Sequence, residues 1–145
     1  MEKLILGLDP GKSGAIAVWA SFELITFRLT ETEADARDFL RQYDDGYAFI
    51  ERVHSMPKQG VASSFKFGQS YGFLRGLLVG LQIPFEEVTP QKWQKEMGCL
   101  SHGDKRVTRA RAQQLFPHLK VVHATADALL ICEYGRRVIQ TRNGT

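Results

Sequence analysis

Apolar residues in this chain fall into short clusters divided by turn residues, and their spacing changes along its length. Residues 3–8 are rich in Leu and Ile with little alternation, as suits a strand buried on both faces. Asp9-Pro10-Gly11-Lys12-Ser13-Gly14 is a turn cluster; residues 15–19 predict a second strand and 22–29 a third. Such short connections make the three an antiparallel meander. Thr30 or Thr32 can cap a helix reaching about Tyr43, with Glu33 supporting its first turn, before Asp44-Asp45-Gly46 breaks it. Its few apolar positions (Ala36, Phe39, Leu40) predict a surface helix. Residues 47–52 predict a fourth strand with Glu51 at its end.

Residues 54–64, with Pro57, Gly60 and small polar side chains, read as a mobile loop. From about Ser64 to Leu81 the pattern is helical, and Gly68, Gly72, Gly76 and Gly80 form one stripe along it. Each interior glycine costs about 1 kcal/mol against alanine, so the stripe predicts close packing on a sheet or on a second subunit. Lys66, Gln69 and Arg75 exclude a membrane helix. Residues 85–88 predict a fifth strand, and Thr89-Pro90 a cap and first turn for a helix to about Met97. Asp104 caps a basic helix over 105–115, closed by Pro117, and a last helix covers about 124–140. The order βββ-α-β-α-β-α-α-α predicts one α/β domain over residues 1–145, with a five-stranded mixed sheet flanked by helices.

Composition narrows the class. The chain has 145 residues, 43% hydrophobic and 24% charged, the balance of a folded globular domain. No apolar run approaches the roughly 20 residues that span a bilayer. No signal-peptide core precedes the first strand, and Cys99 and Cys132 form no disulfide framework or zinc spacing. A reducing interior, not secretion, is the expectation. The net charge of +3 conceals an asymmetry. Residues 30–45 hold six acids against two arginines, whereas 52–111 hold ten Lys/Arg against four acids. One face suited to a polyanion and another to solvent would give that pattern.

The acids carry the candidate chemistry. Asp9 and Glu51 each end a predicted strand, placing carboxylates at a sheet rim where ligands of α/β folds commonly bind. Asp127 begins the last helix, and His123, four residues earlier, shares its face if the helix extends that far. Three carboxylates and an imidazole suit a hard divalent cation. Each also has an ordinary use: Asp9 as a turn former, Glu51 as a surface strand end, Asp127 as a helix-start acid, His123 as a cap.

Ordered motifs add a resemblance. Leu6-Gly7-Leu8-Asp9-Pro10-Gly11-Lys12-Ser13-Gly14-Ala15-Ile16-Ala17-Val18-Trp19 resembles the first hairpin of the ribonuclease H-like superfamily, especially the RuvC family of Holliday-junction resolvases. Lys66-Phe67-Gly68-Gln69-Ser70-Tyr71-Gly72 resembles that family's K-L-G-x-x-x-G helix start, and Asp127-Ala128-Leu129-Leu130 its terminal D-A-L segment. The order of acids, strands and helices agrees over about residues 4–135. His54-Ser55-Met56-Pro57-Lys58-Gln59-Gly60 resembles the phage and plant-organelle branch.

The resemblance implies an endonuclease that cuts four-way DNA junctions by paired nicks, using two Mg2+ ions with Mn2+ as a substitute. It leaves 5′-phosphate and 3′-hydroxyl ends and works as a homodimer. Asp9 would bridge the ions, with Glu51, His123 and Asp127 completing the ligands. The family position held here by His123 is usually a carboxylate, although some relatives carry histidine near it. Lys105 resembles a lysine beside the scissile phosphate, where a cation neutralises developing charge. Arg106, Arg109, Lys92, Lys95, Lys58 and Lys66 would follow backbone phosphates. His54 and Phe65 could stack on unpaired bases, or simply pack. The implied setting is the cytoplasm of a bacterial or phage-infected cell, or an organelle interior.

Three rival readings remain. Asp-Pro-Gly-x-x-Gly hairpins also open actin-like ATPases, but the chain is too short for two such lobes and lacks a second phosphate motif. A non-cleaving module on the same fold would share the DNA contacts without the metals. A related nuclease would differ in substrate alone.

Overall fold

The computed structural model describes residues 3–53 and 58–144. Its elements run β1 (Ile5–Asp9), β2 (Ala15–Ala20), β3 (Glu23–Arg28), α1 (Glu33–Arg41), β4 (Tyr47–Glu51), α2 (Val61–Gly80), β5 (Phe85–Val88), α3 (Pro90–Glu96), α4 (Lys105–Leu115) and α5 (His123–Arg142). The five strands form one mixed sheet in the order β3-β2-β1-β4-β5. β1, β2 and β3 pair antiparallel, and β4 and β5 add in parallel, as the connection lengths require. The β2–β3 turn has Ser21 at φ 47° and Phe22 at φ 72°. Successive left-handed residues match a two-residue hairpin turn, so Phe22 belongs to the turn and not to the third strand.

The two-residue period of the strands divides the interior into two cores. Leu6, Leu8, Ile16, Val18, Ala48 and Ile50 face Leu40 of α1 and Leu74 and Leu78 of α2. Ile5, Ala15, Ala17 and Phe49 face the other way, onto a layer that includes Trp93, Ala112, Phe116 and the buried side of α5. Cys99 and Cys132 are free and buried. Among the described residues no helix is long and apolar enough to cross a membrane.

Several boundaries differ from those read off the pattern. α1 is capped by Thr32, whose side chain accepts from the Asp35 backbone N–H while Asp35 reaches back to the Thr32 backbone. That box starts the helix at Glu33, and it ends at Arg41, short of Tyr43. α2 begins at Val61, three residues before the expected start, with Gly60 as its cap. Val61 and Phe65 are exposed, so this first turn has no amphipathic signal. α5 begins at His123, which puts His123 and Asp127 on one helical face.

The glycine stripe corrects an expectation. A β-carbon built at Gly68, Gly72, Gly76 or Gly80 meets nothing within 4 Å. α2 packs on the sheet through Leu74 and Leu78, so the glycines face outward and sheet packing is not their role. The close approach lies at Gly7. A β-carbon there would stand 2.4 Å from the Cys132 backbone nitrogen and 2.6 Å from the Ala128 carbonyl oxygen, both on α5. Backbone cannot retreat from a side chain as a rotamer can, so Gly7→Ala should force α5 off the sheet and cost about 3 kcal/mol or more. Urea denaturation of the purified variant checks this; a loss below about 1 kcal/mol would contradict it.

Candidate active site

Strand periodicity decides where the acids point. Asp9 lies on the face of Ile5 and Gly7, and Glu51 on the face of Tyr47 and Phe49, which is the side covered by α5. The parallel register pairs Leu8 with Ile50, so the next residues, Asp9 and Glu51, end adjacent strands side by side. Asp127 belongs to the second turn of α5, the helix whose Ala128 and Cys132 sit over Gly7. Three carboxylates distant in sequence therefore share one recess.

That recess opens into a cavity of about 630 Å³ lined by Asp9, Glu51, Asp127, His123 and Lys105. The β1–β2 turn supplies Lys12 and Ser13 to its wall, and α2 supplies Lys66 and Ser70. The turn is held by the Gly11 N–H, which donates to Ser70 Oγ at 2.9 Å, and by the Gly14 N–H, which donates to the Gly11 carbonyl at 3.0 Å. At Gly14 a β-carbon would collide with the Asp9 carbonyl oxygen, so the tight turn needs glycine there. Glu31 and Glu33, at the start of α1, form an acidic lip on the same cavity.

The electrostatics are those of crowded acids. Burial pushes the Asp9 carboxyl well above its ordinary range; Glu51 and Asp127 push it further, and Lys105 pulls it back. Glu51 rises from 4.5 to about 7, driven by burial, opposed by its hydrogen bond from Trp93 and assisted by Asp127. Asp127 is raised by burial, against the lowering effects of the Thr108 hydroxyl, Lys105 and His123. Lys105 opens α4 under the Asp104 cap, which accepts from the Arg106 backbone N–H. From that position it acts on two of the three acids.

Among the described residues, no three His, Cys, Asp or Glu side chains are gathered closely enough to cage a cation as they stand. Like charges facing one another in low dielectric favour separation, so such a set needs a counter-ion to draw it in. The donors themselves, three carboxylates and one imidazole, fit a hard or borderline divalent ion.

The remaining predicted residues are distributed around this centre. Lys66 lines the cavity. Arg106 and Arg109 line an adjoining recess with His123. Arg106 is paired with Asp104 at 3.0 Å, and Arg109 Nε donates to the Val121 carbonyl at 3.3 Å, tying α4 to the segment before α5. Lys92 and Lys95 are exposed on α3, Lys58 is exposed before α2, and Phe65 projects from the first turns of α2 at 66% exposure. None of these four lines the cavity. His54 lies outside the described residues. Two buried residues at the site went unread in the sequence: Trp93, whose indole N–H donates to Glu51 Oε2 at 2.8 Å, and Thr108 beside Asp127. Thr108 follows Lys105 by three on α4, a spacing that could have revealed it; Trp93 offers no such signal.

Sheet order and helix placement give a five-stranded mixed α/β fold of the ribonuclease H-like type. No family model matches the sequence, and no curated protein matches it. The likeness is structural. RuvC of Thermus thermophilus in complex with a Holliday junction substrate superposes with a TM-score of 0.68 over 98% of this chain and 97% of its own, at 14% identity. A second T. thermophilus RuvC structure gives 0.63 over 98% and 97%, at 16% identity. The yeast mitochondrial Holliday junction resolvase Ydc2 gives 0.60 over 99% of this chain and 83% of its own, at 14% identity. The chain has the RuvC fold.

The raised acids set a pH signature. Between about 4.5 and about 7 the Glu51 carboxyl is protonated in the folded chain and ionised in the unfolded one. The folded state then binds more protons, so stability falls as pH rises through that window. Without added metal, Glu51→Gln should melt higher than wild type at pH 8, by roughly 5 °C, and the gap should close towards pH 5. Thermal denaturation of both proteins across that range checks it; a gap independent of pH would contradict it.

Proposed function

We propose that this chain is a structure-selective DNA endonuclease that resolves four-way junctions by paired, symmetric nicks. The observation that carries the reading is the convergence of Asp9, Glu51 and Asp127 from two strands and a helix into one cavity that Lys12, Lys66 and Lys105 also line, on the RuvC fold. Branched DNA as substrate rests on the RuvC structure that holds a Holliday junction.

Asp9, Glu51, Asp127 and His123 would hold two Mg2+ ions, with Mn2+ as a substitute. Such a pair, when bound, supplies water activation and charge stabilisation for an in-line displacement at phosphorus. The chain's own residues do the rest. Asp9 lies within electrostatic reach of both Glu51 and Asp127 and would hold the ions together with them. His123 offers an imidazole nitrogen on the cavity wall. Lys105 places a fixed positive charge beside the carboxylates, where it can meet charge developing on the scissile phosphate. Lys12 and Lys66 extend that potential along the wall, and Arg106 and Arg109 continue it past His123. Lys58, Lys92, Lys95, Phe65 and His54 belong to the outer contacts with the junction arms and centre. The products would be nicks with 5′-phosphate and 3′-hydroxyl ends.

The decisive experiment incubates the full chain with labelled four-way junction, linear duplex and RNA–DNA hybrid, with and without Mg2+. Metal-dependent nicking of the junction alone is expected. Asp9→Asn, Glu51→Gln and Asp127→Asn should each abolish nicking and leave junction binding largely intact, while Lys105→Ala should slow nicking by about 10²–10³. Binding without cleavage would favour the non-cleaving module, and preference for the hybrid would favour a nuclease with another substrate.

Two opposed nicks require two sites, and each chain holds one, so the working form would be a homodimer. Its interface would be the outward face of α2 along the Gly68–Gly80 stripe, beside which Val79 is exposed at 66%. A second copy could approach the backbone closely there, which gives four open glycines a packing reason. Gly72→Ala should therefore stabilise the isolated chain by up to about 1 kcal/mol yet weaken the dimer. Sedimentation at micromolar concentration, alone and with junction DNA, tests this; monomers under both conditions would overturn it.

A further inference from the structure

The bond between Trp93 and Glu51 joins residues separated by 42 positions. Trp93 is the fourth residue of α3, whose start is set by the Thr89 cap and Pro90. Its side chain is fully buried, packed within the core layer that also holds Val88, Met97 and Cys99. The indole N–H donates to Glu51 Oε2 at 2.8 Å, a short and therefore well-formed bond.

A buried indole N–H ordinarily needs an acceptor, so the acid could be present for the tryptophan's sake. The chain's other tryptophan argues against that. Trp19 Nε1 is buried with no hydrogen-bond partner among the described residues, so this fold tolerates an unsatisfied indole. The donor's chemistry also suits an acid that must keep its charge for a metal. Indole is a donor only and carries no charge. A lysine or arginine in its place would neutralise the carboxylate and compete with a cation for it, whereas indole orients one oxygen and leaves the negative charge uncompensated.

We propose that Trp93 is a positioning residue: through its N–H it holds Glu51 by Oε2 and presents the other carboxylate oxygen to a divalent cation. This rests on the metal-site reading above, and α3 becomes part of the site although none of its side chains lines the cavity. Partners of this kind typically change metal affinity or activity 10–100-fold when removed.

The test compares the full chain with Trp93→benzothienylalanine, which exchanges the indole N–H for sulfur and keeps the fused ring. Mn2+ affinity is read by electron paramagnetic resonance of the free ion, with junction nicking in parallel. We expect Mn2+ binding about 10–100-fold weaker with the melting temperature lowered by only about a few degrees, and nicking that recovers as Mn2+ is raised. The same substitution at Trp19 should change neither. A second measurement needs no variant at Trp93. The two tryptophans give two indole N–H signals in a 15N spectrum, and Mg2+ should shift that of Trp93 and leave that of Trp19. Glu51→Gln should abolish the shift.

Unchanged Mn2+ affinity, or a Trp93 signal indifferent to Mg2+, overturns the positioning role even if junctions are cut. The expected affinity loss and shift in a chain that cuts no DNA would uphold the role and overturn the nuclease reading. A wild-type chain that binds no Mn2+ overturns both.

Discussion

The whole arrangement depends on how closely α5 can lie against the centre of the sheet. Gly7 is the hinge of that constraint, because its missing β-carbon is the space taken by the backbone of Ala128 and Cys132. Ala15 and Ala17 keep the neighbouring strand equally low on that face. Farther along α5, Gly135 does the same against the ring of Phe49. A helix lifted by one methyl group would carry Asp127 away from Asp9 and Glu51. Packing and chemistry are thus one requirement, imposed at the central strand.

The geometry has an electrostatic cost. Asp9, Glu51 and Asp127 are all raised by burial; Glu51 and Asp127 raise Asp9 further, and Asp127 raises Glu51. Lys105, Thr108 and Trp93 each offset part of this from α4 or α3. The offset is incomplete, as the position of Glu51 at about 7 shows. On the proposed reading the balance belongs to divalent cations, and the site trades stability at neutral pH for metal affinity.

The charge asymmetry of the chain also acquires a location. The acid-rich 30–45 stretch includes α1, on the face of the sheet opposite α5, with Glu31 and Glu33 as an acidic lip on the cavity. Lys12, Lys66 and Lys105 occupy the cavity walls, and Arg106 and Arg109 the recess beside it. A polyanion entering this cleft would be held away from α1 and drawn towards α4.

Much of this was legible in the amino-acid order. Turn residues and short connections determined the β1–β3 meander, and the Asp104 and Thr89 caps determined where α4 and α3 begin. Acids at the ends of β1 and β4 and at the start of α5 marked the site, because strand and helix ends are local properties. The start of α2 at Val61, which has no polar side-chain cap, was misplaced for the same reason. Which faces meet is not local. The stripe of four glycines looked like the close contact and faces outward, while single Gly7 makes it. Trp93 was an anonymous core residue until the fold set its N–H on Glu51, 42 positions away. Periodicity tells a residue which side of its own element it occupies; only packing decides what stands opposite.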